Sequence, residues 1–438
     1  MISNKTFAVF AIGIGTIALC AMGILSGYFM TQNGNDVGAT GGLPIYTVQF
    51  DSNGGSAVQS QQVYGGLPIT FTPNGILAQV VGVSWNSSNS SPALTRLTPQ
   101  SDPNHYVNTQ INAEPVAQIG NSAASSPFDN IAPWKNMEIY TANSNGTPQN
   151  KITQRPLNNT TDDLVVKVPA FWYYIEKQGS DVRYYISDSQ INGFQKHAGS
   201  DSYIARYETT GSAGAPTTKS GLAPVVSQTI GAFRTGAANK GANWWQLDYN
   251  IYSAVTLLYL VEYASFDSQA KLGDGRTVTS AINTGSTDAL TYHTGRPAGT
   301  ANQVGMQYRN IENIVGNVWS WCEGMLFNDR AVYTNNNPTT YSDTLTANYI
   351  SQGISVPSSD GYITNLNNSN SSNWFIPSAI GGSTSTYQCD YFWQNPGLRV
   401  LLVGGCWFYG SDGGLFAFFS YFTSSNTNTN IGSRLVIK

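Results

Sequence analysis

The stretch GGCWFYGSDGGLFAFFSYFTSSNTNTNIGSRL (residues 404–435) narrows what this chain can fold into. Its rings, Trp407, Phe408, Tyr409, Phe416, Phe418, Phe419, Tyr421 and Phe422, are broken up by glycine, serine and asparagine. Each glycine weakens a helix interior by about 1 kcal/mol relative to alanine, and Gly404, Gly405, Gly410, Gly413 and Gly414 follow in close succession. Short strands and tight turns are therefore expected. In LFAFFSY, alternation places Phe416 and Phe418 on one face of a strand and Ala417, Phe419 and Tyr421 on the other. The first face is expected to pack inward. The second is expected to stand exposed, and an exposed aromatic cluster marks a binding surface. Trp407, between Gly405 and Phe408, is expected to anchor the loop in the core.

Charge is scarce. Only 11% of residues are charged, against a norm of about 25%, while aromatic residues make up 12%. The polar surface must then come from Ser, Thr, Asn, Gln and Gly, a composition that suits an extracellular or virion β-rich protein. A formal charge of −4 leaves no basic footprint for nucleic acid. The four cysteines, Cys20, Cys322, Cys389 and Cys406, form no disulfide framework, and with His105, His197 and His293 they give no metal-ligand spacing.

Residues 6–30, TFAVFAIGIGTIALCAMGILSGYFM, carry no charge. That length exceeds the roughly 20 residues a membrane-spanning helix needs and the apolar core of a secretory signal. Residues 1–31 are expected to form a membrane anchor, with Lys5 on the inner side and the bulk of the chain outside. Residues 32–44 read as a flexible linker. Residues 45–75 read as strand, turn, strand, turn and strand, with Tyr46, Val48 and Phe50 alternating before Asn53–Gly55. They resemble one copy of the small β-repeats of bacterial surface proteins, which implies a spacer. Residues 76–154 form a β-rich intermediate region, and 155–438 the main domain.

Within that domain, residues 163–188 alternate like a hairpin turning near Gly179–Asp181, and 202–210 read as a strand. Helices are expected over 230–243 and 248–265. The second has Asp248 as its N-cap and Ile251, Ala254, Val255, Leu258 and Val261 at helical spacing.

The blocks WNSSNSSPALTRL, SPFDNIAPW, VPAFWYYI, YIARYE, WWQLDYNIYSAVTLLYLVEYASFDSQ, YRNIENIVGNVWSWCEG and GLRVLLVGGCWFYGSDGGLFAFF, followed by NIGSRL, stand in this order over about residues 80–438. In that order they resemble the variable proteins of diversity-generating retroelements. The resemblance implies an α+β domain with a C-type-lectin-like fold of the formylglycine-generating-enzyme subtype. It also implies that a reverse transcriptase scrambles adenine-bearing codons near the 3′ end of the gene, over about residues 398–435. Related segments often hold Asn where this chain has Cys406, Phe408, Tyr409, Asp412, Ala417, Phe419, Tyr421 and Phe422. All eight residue types are reachable from NNY codons. The resemblance makes these the variable, ligand-binding positions. Gly404, Gly405, Trp407, Gly410, Gly414, Phe416, Phe418, Gly432 and Arg434 are the retained frame.

The namesake of that fold oxidises cysteine, but no matched cysteine pair or C-x-P-S-R-like motif is present, and Glu208, Glu312 and Glu323 are unpaired in sequence. No catalytic residue and no metal ligand is assigned. The loop 313–324 is a candidate carbonyl cradle for a structural calcium ion, and no other cofactor is expected. The expected function is a surface-displayed receptor-type protein that binds a protein ligand on another cell or host, with a homotrimer as the family-level assembly. Phage or viral attachment protein, displayed on a virion, is the alternative. A stalk without specific recognition is the bland one.

Overall fold

A computed structural model describes residues 78–438 throughout and, before them, the backbones of four short strands, Ile17–Leu19, Tyr28–Gln32, Ile45–Phe50 and Gln61–Tyr64. These four pair in sequence order as one antiparallel sheet. The rest of the apolar run 6–30, and the linker after it, lie outside the described residues. Ile17–Leu19 and Tyr28–Gln32 are strands where a membrane-spanning helix was expected, and among the described residues no helix is long and apolar enough to cross a membrane.

Where α+β was expected, the described fold is mostly β. Among the described residues the α-helices are Ile230–Lys240, Tyr249–Tyr263 and Ser268–Leu272. The longest helix is the hub. Asp248 starts it, accepting from the backbone N–H groups of Asn250 and Ile251 at 3.1 and 3.2 Å. Ala264, in the left-handed region, ends it. The apolar spacing read along one face understates its burial, because every residue from Tyr249 to Tyr263 except Asn250 is buried. A helix apolar all round belongs inside a core. Its one buried acid, Glu262, is matched on the spot: Arg309 donates at 2.6 and 2.7 Å, Tyr308 at 2.9 Å and Ser126 at 2.8 Å.

Three sheets surround this helix. One has Trp172–Gln178, Asp181–Ser187 and Val80–Asn86 at its centre. The turn near Gly179 falls where the sequence placed it, but Asp163–Val168 does not join that hairpin. Pro169 follows it, and the strand pairs instead with Ser202–Ala205 and Ile139–Ala142 in a second sheet. Strands before and after residue 154 thus share both sheets and one hydrophobic core. The third and largest sheet carries the C-terminal segment. Its order is Ile350–Ser355, Ala331–Thr334, Trp319–Asn328, Leu398–Val403, Phe418–Ser420, Tyr391–Gln394, Gly361–Leu366 and Pro377–Ile380, with Ile431–Gly432 added parallel to the start of Trp319–Asn328.

Arg434 joins the sheets. It is 1% exposed and has no carboxylate bonded to it. Its guanidinium donates to the carbonyls of Ala205 and Arg206, both at 2.9 Å, and of Glu312 and Asn313 at 2.6 and 3.2 Å. Burial pulls its pKa down to about 10, with Glu208 and Glu312 acting in the opposite direction, so it stays charged at neutral pH. Replacing Arg434 with Met takes the guanidinium donors away from those buried carbonyls, of which the Arg206 carbonyl keeps the Glu312 N–H at 2.9 Å. Unfolding in denaturant is expected to show a loss of several kcal/mol, since each buried acceptor left without a donor costs about 1–3 kcal/mol.

Candidate functional site: an aromatic ridge at the C-terminal segment

The alternation read in LFAFFSY is present. Phe416 and Phe418 enter the main core, where Phe416 meets Phe266 at 5.2 Å between ring centroids and Phe418 meets Phe327 at 5.7 Å. Ala417 and Phe419 point to the opposite side. That side is not bare. It is roofed by its own second cluster, which contains Trp319, Trp321, Leu402 and Ile431, so that Ala417 is 1% and Phe419 2% exposed. Cys406 lies in the same cluster and is fully buried. The exposure expected for Ala417 and Phe419 is therefore corrected. The sheet continues on both sides of Phe418–Ser420, and the Trp319–Asn328 strand brings two tryptophans under it.

The remaining positions come to the surface on top of this second cluster. Phe408 is 53% and Tyr421 39% exposed, while Tyr409, Asp412 and Phe422 are half-buried. Ring contacts link them without a break. Phe408 stacks on Tyr409 with centroids 4.6 Å apart, Tyr409 meets Trp393 at 4.7 Å, Trp393 meets Phe419 at 5.5 Å, and Phe419 meets Phe422 at 4.9 Å and Tyr421 at 5.7 Å. Trp319 closes the underside, 5.4 Å from both Tyr409 and Phe419. The result is a ridge with exposed ends and a buried middle. Sequence reasoning missed Trp393, Tyr391 and Tyr362. Their signal was weak: Tyr391 and Trp393 alternate about Phe392 in a stretch that shows no other strand cue.

Asp412 is not a free carboxylate. Tyr362 donates its hydroxyl to it, and burial together with that bond pushes the Tyr362 phenol up to about 12. Trp407 is also corrected. It is half-buried, leans on Phe408 at 5.0 Å, and donates its backbone N–H to the Asn317 carbonyl at 3.0 Å. The flanking glycines hold Cys406 and Trp407 on a sharply turned backbone that keeps the indole out of the core.

The glycine frame has steric reasons. Gly405 has φ +87°, and a Cβ there would stand 2.8 Å from the Gly413 Cα. At Gly414 a Cβ would fall 2.0 Å from the Asp390 carboxylate. Asp390, 1% exposed, accepts the Phe416 N–H at 2.7 Å and so fixes the turn into the strand. Burial drives its carboxyl well above the ordinary carboxylate range.

The chemistry of the neighbourhood is structural. Burial pushes the Cys406 thiol up to about 12 and the Cys322 and Cys389 thiols upward as well, and all three are free and buried, so none is a ready nucleophile. Glu208 accepts from Asn317 at 2.6 Å and Val318 at 3.2 Å, Glu312 from Thr287 and Gly285, and Glu323 from Arg234 at 2.7 Å. In the loop 313–324, the candidate calcium cradle, part of the donor set is already used. The Asn313 carbonyl faces the Arg434 guanidinium, which already supplies the positive charge, and Asn313 and Asn317 turn their amides to Glu208. Among the described residues, no cluster of three or more His, Cys, Asp or Glu side chains could hold a metal ion.

No family model and no curated protein matches the chain. Among solved structures, the chain is similar to the P3c and M1 variants of Major Tropism Determinant, at 13% and 12% identity, covering 93% of this chain and 82% of each of those, with TM-scores of 0.27 and 0.29. It is also similar to Treponema denticola variable protein 1, at 13% identity over 63% of this chain and 95% of that one, with a TM-score of 0.27. Likeness at such scores is too slight to bear on the site.

Burial separates the rings into two energetic classes. Phe416→Ala, Phe418→Ala and Phe419→Ala are each expected to cost about 3–5 kcal/mol, the usual range for emptying a buried aromatic site. Tyr421→Ala and Phe408→Ala are expected to stay near the ±0.5 kcal/mol of ordinary surface changes. Thermal melts of the five variants check the ranking, with Phe419 grouped among the core residues.

Proposed function

We propose that this chain is a surface-displayed recognition protein whose segment 398–435 binds a protein on another cell or host. The observation that carries this reading is the ridge itself. Exposed Phe408 and Tyr421 stand at the two ends of one continuous ring stack that is held from below by buried tryptophan. Rigid aromatic side chains give large contact area for little lost freedom, as in antibody loops. Their spread along a ridge suits a broad protein surface better than a small enclosed ligand.

In this reading Phe408, Tyr409, Asp412, Tyr421 and Phe422 meet the ligand. Cys406, Ala417 and Phe419 act from underneath, because a change of their volume reshapes the support of the rings above. Diversification by a retroelement then alters both the contact residues and their bedding, while Gly405, Gly414 and Arg434 keep the backbone in place. The C-type-lectin-like fold and the trimer belong to this proposal. So does display, either through the apolar run 6–30 in a membrane or on a virion. A near-copy of the 3′ coding sequence beside a reverse-transcriptase gene supports the diversification. A flanking sequence with neither removes it.

The binding claim is tested with the full chain against a panel of intact candidate host cells. Paired replacement Phe408→Ala with Tyr421→Ala is expected to abolish binding, since aromatic anchors of this type each cost roughly 2 kcal/mol or more when truncated. The melting temperature should hold. Undiminished binding by the paired variant rejects the ridge as the recognition surface.

Display has its own check. The full chain is expected to need detergent, and a chain begun at Gly41 to dissolve in buffer alone. Equal solubility of the two counts against the membrane anchor.

A further inference from the structure

The ridge branches at Trp393. From there the rings run to Tyr391, with centroids 4.7 Å apart, and Tyr391 meets Tyr362 at 4.9 Å and nearly at right angles. Strand register explains the grouping. Tyr362 stands opposite Tyr391 in the antiparallel pair of Gly361–Leu366 with Tyr391–Gln394, and Trp393 stands opposite Phe419 in the parallel pair beside it. Alternation puts Tyr391 and Trp393 on the ridge face while Phe392 enters the main core. Tyr362, Tyr391 and Trp393 are all half-buried, so each shows part of its surface to solvent.

Two carboxylates flank these rings. Asp412 accepts the Tyr362 hydroxyl. Asp360, exposed and next to Gly361, accepts the Gln394 N–H at 2.9 Å. Both act on the same ring: burial, and then the charges of Asp360 and Asp412, push the Tyr391 phenol up. Among the described residues neither carboxylate forms an ion pair. Arg399, two strands away, gives its guanidinium to the Pro396 carbonyl at 2.8 Å instead. An ionised carboxylate has about four lone-pair sites, so a single N–H or O–H leaves most of them open. Ring faces attract a cation, and here they stand beside negative charge that the chain does not neutralise.

We propose, resting on the reading that the ridge binds a protein, that the corner of Tyr362, Tyr391 and Trp393 receives an arginine side chain of that partner, with Asp360 and Asp412 as its counter-charges. A guanidinium suits both halves of the corner, because its plane stacks on a ring while its N–H fork meets a carboxylate. The probes are two short capped peptides, identical except that one holds arginine and the other citrulline, which keeps the shape and loses the charge. Passed at millimolar concentration over the immobilised full chain, the arginine peptide is expected to bind at least about fivefold more tightly. Asp360→Asn with Asp412→Asn is expected to erase that difference. Each asparagine keeps an oxygen to accept from Gln394 or Tyr362, so the melting temperature should hold. Glu114→Gln with Asp181→Asn removes two charges that pair with arginines of a different sheet, and is expected to leave the difference intact. Should the first pair unfold, Tyr391→Leu decides, and is expected to bring the arginine peptide down to the level of citrulline. Equal binding of the two peptides, binding of neither, or an arginine preference that survives Asp360→Asn with Asp412→Asn overturns the corner. The host-cell test of Phe408 and Tyr421 is read on other variants and another target, so the two readings fail separately.

Discussion

The four hydrogen bonds from Arg434 to main-chain carbonyls hold this architecture together. They join the last strand, Leu435–Ile437, to the strand Ser202–Ala205 and to the loop that leads into Trp319–Asn328. That loop sets the position of Trp319, and Trp319 is the floor of the ring stack. Four carbonyls converge at this crossing, and only a side chain with several donors can serve them together, although the Arg206 carbonyl also accepts the Glu312 N–H at 2.9 Å. Unpaired, each would carry the full desolvation penalty of a buried acceptor.

From that anchor the site follows by layers. Phe416 and Phe418 lock one side of the short strand into the main core, and Asp390 fixes its entry through the Phe416 N–H. The other side rests on Trp319 and Trp321, so the strand is clamped from both faces. Only after this second layer does the surface begin, with Phe408 and Tyr421. A ridge built this way loses little side-chain freedom on binding, because the half-buried Tyr409 and Phe422 are already packed. It also tolerates substitution at its crest, where a lost ring removes contact with solvent-facing neighbours and leaves the core intact.

Much of this was legible in the residues. Asp248 as N-cap, the turn at Gly179, and the alternation of Phe416 and Phe418 against Ala417 and Phe419 all stand as read. These signals are local: a cap, a turn residue and a period of two. What the sequence concealed was non-local. Alternation tells which side chains share a face but not what covers it, and the cover over Ala417 and Phe419 comes from Trp319, about a hundred residues earlier in the chain. Trp393 and Tyr362 joined the site from strands with no distinctive pattern of their own. Trp407 was misplaced because a large apolar side chain between glycines looks like an anchor, whereas the turned backbone carries it outward. The split of Asp163–Val168 from the hairpin after it was written in Pro169, whose ring fixes φ and removes a donor.

In the proposed function, a rigid frame carries replaceable rings. A saturation library over residues 404–435, displayed and scored by resistance to protease, tests this without any ligand in hand. Gly405, Gly414, Phe416, Phe418 and Arg434 are expected to reject nearly every substitution. Phe408, Tyr409, Asp412, Tyr421 and Phe422 are expected to accept most polar and apolar residues, and Phe419 only large apolar ones. A library in which Phe408 and Tyr421 are as intolerant as Phe416 and Arg434 would contradict this, because the rings at the crest would then belong to the fold.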